Sequence, residues 1–140
     1  MIVLDTNVVS ELMRKAPNPA VETWAWGYAG EDLFFSAIGE AELRYGAAIA
    51  PPGRRRDTLL SDIEATLLEA FGNRVLPFDS GAARAYAEIV AARRAAGRPV
   101  SQSDSQIAAN ARSRGMAVAT RNIRDFEGAG VAVVDPWGGA

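Results

Sequence analysis

Residues 1–12 read MIVLDTNVVSEL, and the order of types in them sets the fold class. Ile2, Val3 and Leu4 form a short apolar run without polar alternation, the pattern of a strand buried on both faces. Asp5, Thr6 and Asn7 interrupt it, and an apolar stretch at helical spacing begins at once with Val8. The theme recurs down the chain. LFF (33–35), VL (75–76), AVA (117–119) and VAVV (131–134) read as four more strands. The segments between them read as helices: 8–14, then from Asn18-Pro19 to about 28, 38–49, 54–71, 80–96 and 103–114. Asn18-Pro19 has the cap-then-proline signature of a helix start, and Gly97 and Gly115 stand at helix exits. Strands alternating with helices predict an α/β fold whose central, mostly parallel sheet of four to five strands is flanked by helices. One domain over 1–137 and a flexible tail at 138–140 account for the chain.

The composition narrows the chemistry more than the class. The chain has 140 residues, 49% of them apolar, enough for one domain with a real core. No apolar run approaches the roughly eighteen residues that span a bilayer. Asp5 arrives too early for a secretory signal, so a soluble cytoplasmic protein with no membrane association is expected. There is no Cys and no His. That removes disulfides, thiol nucleophiles, histidine triads and thiolate- or imidazole-bound metals. The ionisable groups left are carboxylates, arginines, tyrosines and the single Lys15, and carboxylate-only sites suit Mg²⁺ or Mn²⁺. Net charge is −2, so the molecule as a whole does not attract nucleic acid. Its arginines cluster at Arg54–Arg56 and at Arg93, Arg94 and Arg98, either as phosphate-binding forks or as solvated helix faces.

In parallel α/β folds ligands gather beyond the carboxyl ends of the strands, and polar residues stand at two of those ends here. Asp5 ends the first. It can cap the next helix, but Thr6 and Asn7 can do so too, which leaves Asp5 free to hold something else. Asn122 and Asp125 follow the fourth run, three residues apart, on a helical turn or in a plain loop. In AIGEAELRYGAAI (37–49), Ile38, Glu42, Tyr45 and Ile49 fall on one helical stripe, which places Glu42 on an inward face beside the small Gly39 and Gly46. Glu40 lies four residues before Arg44 and reads as an exposed ion pair. Asp104 begins a stripe with Ile107, Ala108 and Ala111 although Ser103 and Gln106 can form a capping box without it. Acids brought together repel, and a divalent cation relieves that repulsion.

Four blocks, VLDTNVVSEL, SAIGEAELRYG, SDSQIAANA and ATRNIRDFEGAGVAVVDPW, together resemble the PIN domains, nearest to the VapC-type toxins and the FitB-like plasmid-stability proteins. They fall in the family's order between residues 2 and 137 with helix-sized gaps. The resemblance implies a PIN-like three-layer sandwich and a Mg²⁺- or Mn²⁺-dependent ribonuclease, the toxin of a type II toxin–antitoxin system. It also implies a homodimer and a cognate antitoxin that blocks the site. Carried over by motif, Asp5 and Asp104 are the main metal ligands. Glu42 and Asp125 complete the set directly or through water, and Thr6, Asn7, Thr120 and Asn122 support it. Two positions depart from the family pattern: Asn122 stands where some members have an acid, and Gly39 where a Thr is common.

Two other readings compete. A phosphoryl-transfer or receiver domain also carries an Asp after its first strand, but the lone, early Lys15 and the Thr6-Asn7 pair fit it poorly. A PIN-like protein-binding module with little or no nuclease activity is favoured by Asn122 and opposed by the other acids. Trp24 and Trp26, two apart on one helix, face different ways, one toward the core and the other available to a partner.

Overall fold

A computed structural model describes residues 1–138. Its elements alternate as the apolar runs predict. They are β1 (Ile2–Leu4), α1 (Thr6–Leu12), α2 (Pro19–Trp26), β2 (Leu33–Ser36), α3 (Ala37–Ala48), α4 (Arg54–Ala65), β3 (Val75–Leu76), α5 (Ser80–Ala95), α6 (Gln102–Ser113), β4 (Ala117–Ala119) and β5 (Val133–Val134). All strand pairs are parallel, and the sheet order is β3-β2-β1-β4-β5. The first strand therefore lies at the centre. Of the expected tail, Gly138 is described and residues 139–140 lie outside the described part. Among the described residues, no helix is long and apolar enough to cross a membrane.

Successive strand residues point to opposite faces, and the core divides accordingly. Val3 and Val118 pack with Ile89, Ile107, Ala108 and Phe126 on one side of the sheet. Ile2 and Leu4 pack with Val8, Val9, Val21, Phe35, Ile63 and Phe71 on the other. Helices cover both faces, which is why the strands carry no polar alternation. The two tryptophans separate: Trp24 packs against the second cluster and Trp26 is 76% exposed.

Three expectations need correction. The single helix expected over 54–71 leaves α-helical geometry at Ala65 and continues as a π-helical turn, Thr66–Phe71. The capping box at Ser103 is absent; α6 starts earlier, and Ser101 Oγ accepts the Asp104 N–H at 3.3 Å. The stripe 38/42/45/49 does not face inward. Tyr45 and Ile49 are 66% and 65% exposed, while Gly39 and Ala47 are buried. The residues 39, 43 and 47 have the same helical spacing, and their small members let α3 lie close on β2. A Cβ at Gly39 would stand 2.4 Å from Phe35 Cε1, so only glycine admits that approach.

Candidate functional site

The site begins where two central strands end side by side. Leu4 pairs with Ala119, and Asp5 N donates to Ala119 O at 2.8 Å. This register sets Asp5 next to Thr120, 115 residues away in sequence, and both are buried. Thr120 Oγ1 donates to Asp5 Oδ2 at 2.8 Å and accepts the Asn122 N–H at 3.0 Å. Asp5 Oδ2 also accepts from Asn7 Nδ2 at 3.3 Å, while Asn7 Oδ1 accepts the Arg121 N–H at 3.3 Å. The first and fourth strand ends are thus joined by a hydroxyl and an amide.

Asp5 is itself the N-cap of α1: Oδ1 accepts the Thr6 N–H at 2.8 Å. Assigning the cap to Thr6 or Asn7 is therefore incorrect. The backbone enters the helix at once, and the residue directly before Thr6 is the one with extended geometry. Thr6 uses its hydroxyl elsewhere, donating to Glu42 Oε1 at 2.6 Å. Glu42 is exposed on α3 and reaches the site from solvent rather than from the core. Asp104 lies in the first turn of α6, half-buried. Asp125 sits in the 3-10 turn Ile123–Phe126, whose N-cap is Asn122.

The four acids act on one another. Burial pushes Asp5 above the ordinary carboxylate range; hydrogen bonds from Thr120 and Thr6 oppose this, and the charges of Glu42 and Asp125 add to it. Asp104 is pushed from an ordinary 3.8 up to about 6, first by burial, then by the Asp5 charge, with smaller contributions from Asp125 and Glu42. Asp5, Glu42 and Asp104 line a cleft of about 550 Å³ together with Thr6, Asn7 and Asn122. Asp125 does not line it and acts through its charge.

The donor set suits a hard cation. It is all oxygen, partly desolvated and mutually repulsive, so two of its members hold protons more tightly than free carboxylates do. Among the described residues, no three acids converge closely enough to hold one ion directly. Mg²⁺ takes one or two carboxylates directly and fills its remaining positions with water.

The residues matched by a family model settle the kinship: the PIN domain model covers residues 2–130. The chain belongs to the PIN-domain family. Similar proteins span nearly all of its length. Plasmid stability protein StbB of Pseudomonas syringae pv. tomato is 49% identical, covering 98% of this chain and 99% of the relative. VapC ribonuclease Y4jK of Sinorhizobium fredii is 44% identical, covering 98% of each. Toxin FitB of Neisseria gonorrhoeae is 41% identical, covering 98% and 99%. The crystal structure of FitAcB from N. gonorrhoeae superposes with a TM-score of 0.91 at 40% identity, covering 99% of both chains.

The rest of the cleft of this PIN domain was not read from the sequence. Glu11, Arg14, Arg121 and Trp137 also line it. Glu11 is buried, accepts the Asn18 N–H at 2.9 Å and pairs with Arg14 at 3.2 Å, tying α1 to the start of α2. The Asn18 hydrogen bond, then the Arg14 partner, holds its carboxyl below the ordinary range. The available signal was a charged residue among Val8, Val9 and Leu12. Arg93, grouped above with the arginines of phosphate forks or solvated faces, is buried. Nε donates to Arg98 O at 3.1 Å, Nη2 to Arg124 O at 3.4 Å, and Nη1 to Glu127 O.

Proposed function

We propose that this PIN domain is a ribonuclease toxin of a type II toxin–antitoxin system, hydrolysing RNA phosphodiester bonds with the help of Mg²⁺ or Mn²⁺. The observation that carries the reading is the shared field of Asp5, Glu42, Asp104 and Asp125 around one cleft at the ends of β1 and β4. The ribonuclease and toxin names of full-length relatives support it.

Asp5 and Asp104 are the residues that would hold the ion, and the ion when bound supplies Lewis-acid activation of phosphate and water. Thr120 and Asn7 fix the Asp5 carboxylate from one side, leaving the α1 amide on its other oxygen. Thr6 fixes one oxygen of Glu42, which leaves the other free to orient water in the cleft. Asn122 is held through its backbone by Thr120, so its amide side chain serves the cleft without adding charge. Asp125 keeps negative charge behind the site.

A cognate antitoxin blocks the cleft, and a second copy of the chain completes a homodimer. The exposed Trp26, Tyr45, Ile49 and Leu68 supply apolar surface for these assemblies. The purified, partner-free chain should cleave RNA when Mg²⁺ or Mn²⁺ is added. Asp5→Asn and Asp104→Asn should each lose at least about 10²-fold in rate, the scale of an essential catalytic group, with unchanged circular dichroism. Full activity in both variants would overturn the site assignment.

A further inference from the structure

The cleft has a second wall that the acids do not explain. Arg121 directly follows Thr120, and its guanidinium carbon lies 5.1 Å from the centre of the Trp137 ring. Its backbone N–H is held by Asn7. Among the described residues it makes no ion pair, although its charge is felt at Glu11; Arg14, also on the cleft, is paired directly with that acid. Stacking occupies a face of the guanidinium and leaves its edge, the part that carries the donors, available. Trp137 is partly buried against the core, so the platform is fixed while the exposed charge it carries faces the cleft.

Resting on the ribonuclease reading, we propose that Arg121, positioned by Trp137, binds an RNA phosphate flanking the scissile one. The reason is electrostatic. A nucleic acid strand brings one negative charge per nucleotide into a cleft that already holds several carboxylates. The acids serve the scissile linkage through a cation; the next phosphate along needs a cation of its own. Among the described residues Arg121 is the fixed cleft cation in direct contact with no carboxylate, the Glu11 charge reaching it only at longer range. Arg121 is then a substrate-binding residue and Trp137 its positioning residue.

Binding of a fluorescein-labelled single-stranded oligouridylate, in Mg²⁺ and in an Asp104→Asn background that prevents cleavage, tests this. Adding Arg121→Ala should weaken binding about tenfold, the worth of one charge-assisted hydrogen-bonded contact. It should also reduce the slope of log affinity against log salt by about 0.7, one phosphate contact on a single strand. Arg121→Lys should keep the salt slope while losing part of the affinity. Trp137→Ala should weaken binding less, with no further loss when combined with Arg121→Ala. Equal affinity and slope with and without Arg121, or no binding to any of the proteins at low salt, would overturn the proposal. So would reduced antitoxin binding as the only effect of Arg121→Ala. The two readings fail separately: a wild-type chain that cuts no RNA but shows Arg121-dependent binding would remove the ribonuclease reading and keep a phosphate contact at Arg121, whereas cleavage with Arg121-independent binding would remove the subsite alone.

Discussion

At the scale of single residues, Asp5 has a structural duty beside the chemical one proposed for it. One oxygen starts a helix while the other is held by Thr120 and Asn7. Asparagine caps nearly as well as aspartate, so the fold should survive Asp5→Asn even as cleavage is lost. Asp104 gives a separate, metal-free test. Its native pKa of about 6 lies above the ordinary 3.8, so the folded chain binds that proton more tightly than the unfolded one. In chelator, the Asp104 contribution is therefore fully present below about pH 4 and is lost as pH rises toward 6. Urea midpoints across this range should decline for the wild type and decline less for Asp104→Asn, with the variant at least as stable near neutrality. A large stability loss in that variant would instead assign Asp104 to capping.

At the scale of elements, the chain announced its strands and hid some of its faces. Runs such as IVL and AVA have no polar side because helices cover both faces of the sheet, so their character was visible locally. Helix α3 was different. Ile38/Glu42/Tyr45/Ile49 and Gly39/Leu43/Ala47 have equivalent spacing, and only contact with Phe35 decides which one is inward. Spacing favours the larger residues, whereas the close approach of α3 to β2 requires the small ones. Arg93 was equally hidden, because its meaning lies in carbonyls of residues 98, 124 and 127 that sequence does not place nearby. It clamps α5 to the turn that carries Asp125. Arg93→Ala should cost about 2 kcal/mol in chemical denaturation, since it removes a buried guanidinium that donates to three carbonyls of neighbouring turns. Less than about 0.5 kcal/mol would mean that water replaces the guanidinium.

At the scale of the whole molecule, the acid cluster costs stability that a cation, on the proposed reading, would restore. Ligand binding to the native state alone stabilises by mass action. Saturating Mg²⁺ should therefore raise the melting temperature of the wild type by on the order of 5 °C. The rise should be smaller in Asp104→Asn, and its absence in the wild type by calorimetry would count against a metal centre. The unburied Tyr45 and Ile49 lie on one face of α3, and their covering by a second copy predicts a dimer in sedimentation that Tyr45→Lys weakens. A Tyr45→Lys chain that sediments as the wild type does would place the contact elsewhere. The assembly state was suggested by resemblance and not by pattern, because an exposed apolar residue has the same sequence signature as a buried one.

The strand order has a consequence in time. The first strand made is the central one, and its neighbour β4 is among the last. Asp5 acquires Thr120 only when the 115th residue after it has been added. During synthesis, which proceeds from the N-terminus at about 5–20 residues per second, the emerging polypeptide lacks Asp104, Thr120 and Asp125 until late in translation. With the site proposed above, the nascent chain on the ribosome would be harmless to the RNA around it, and activity would begin after nearly all of the domain has left the exit tunnel. An antitoxin need only be present at that point.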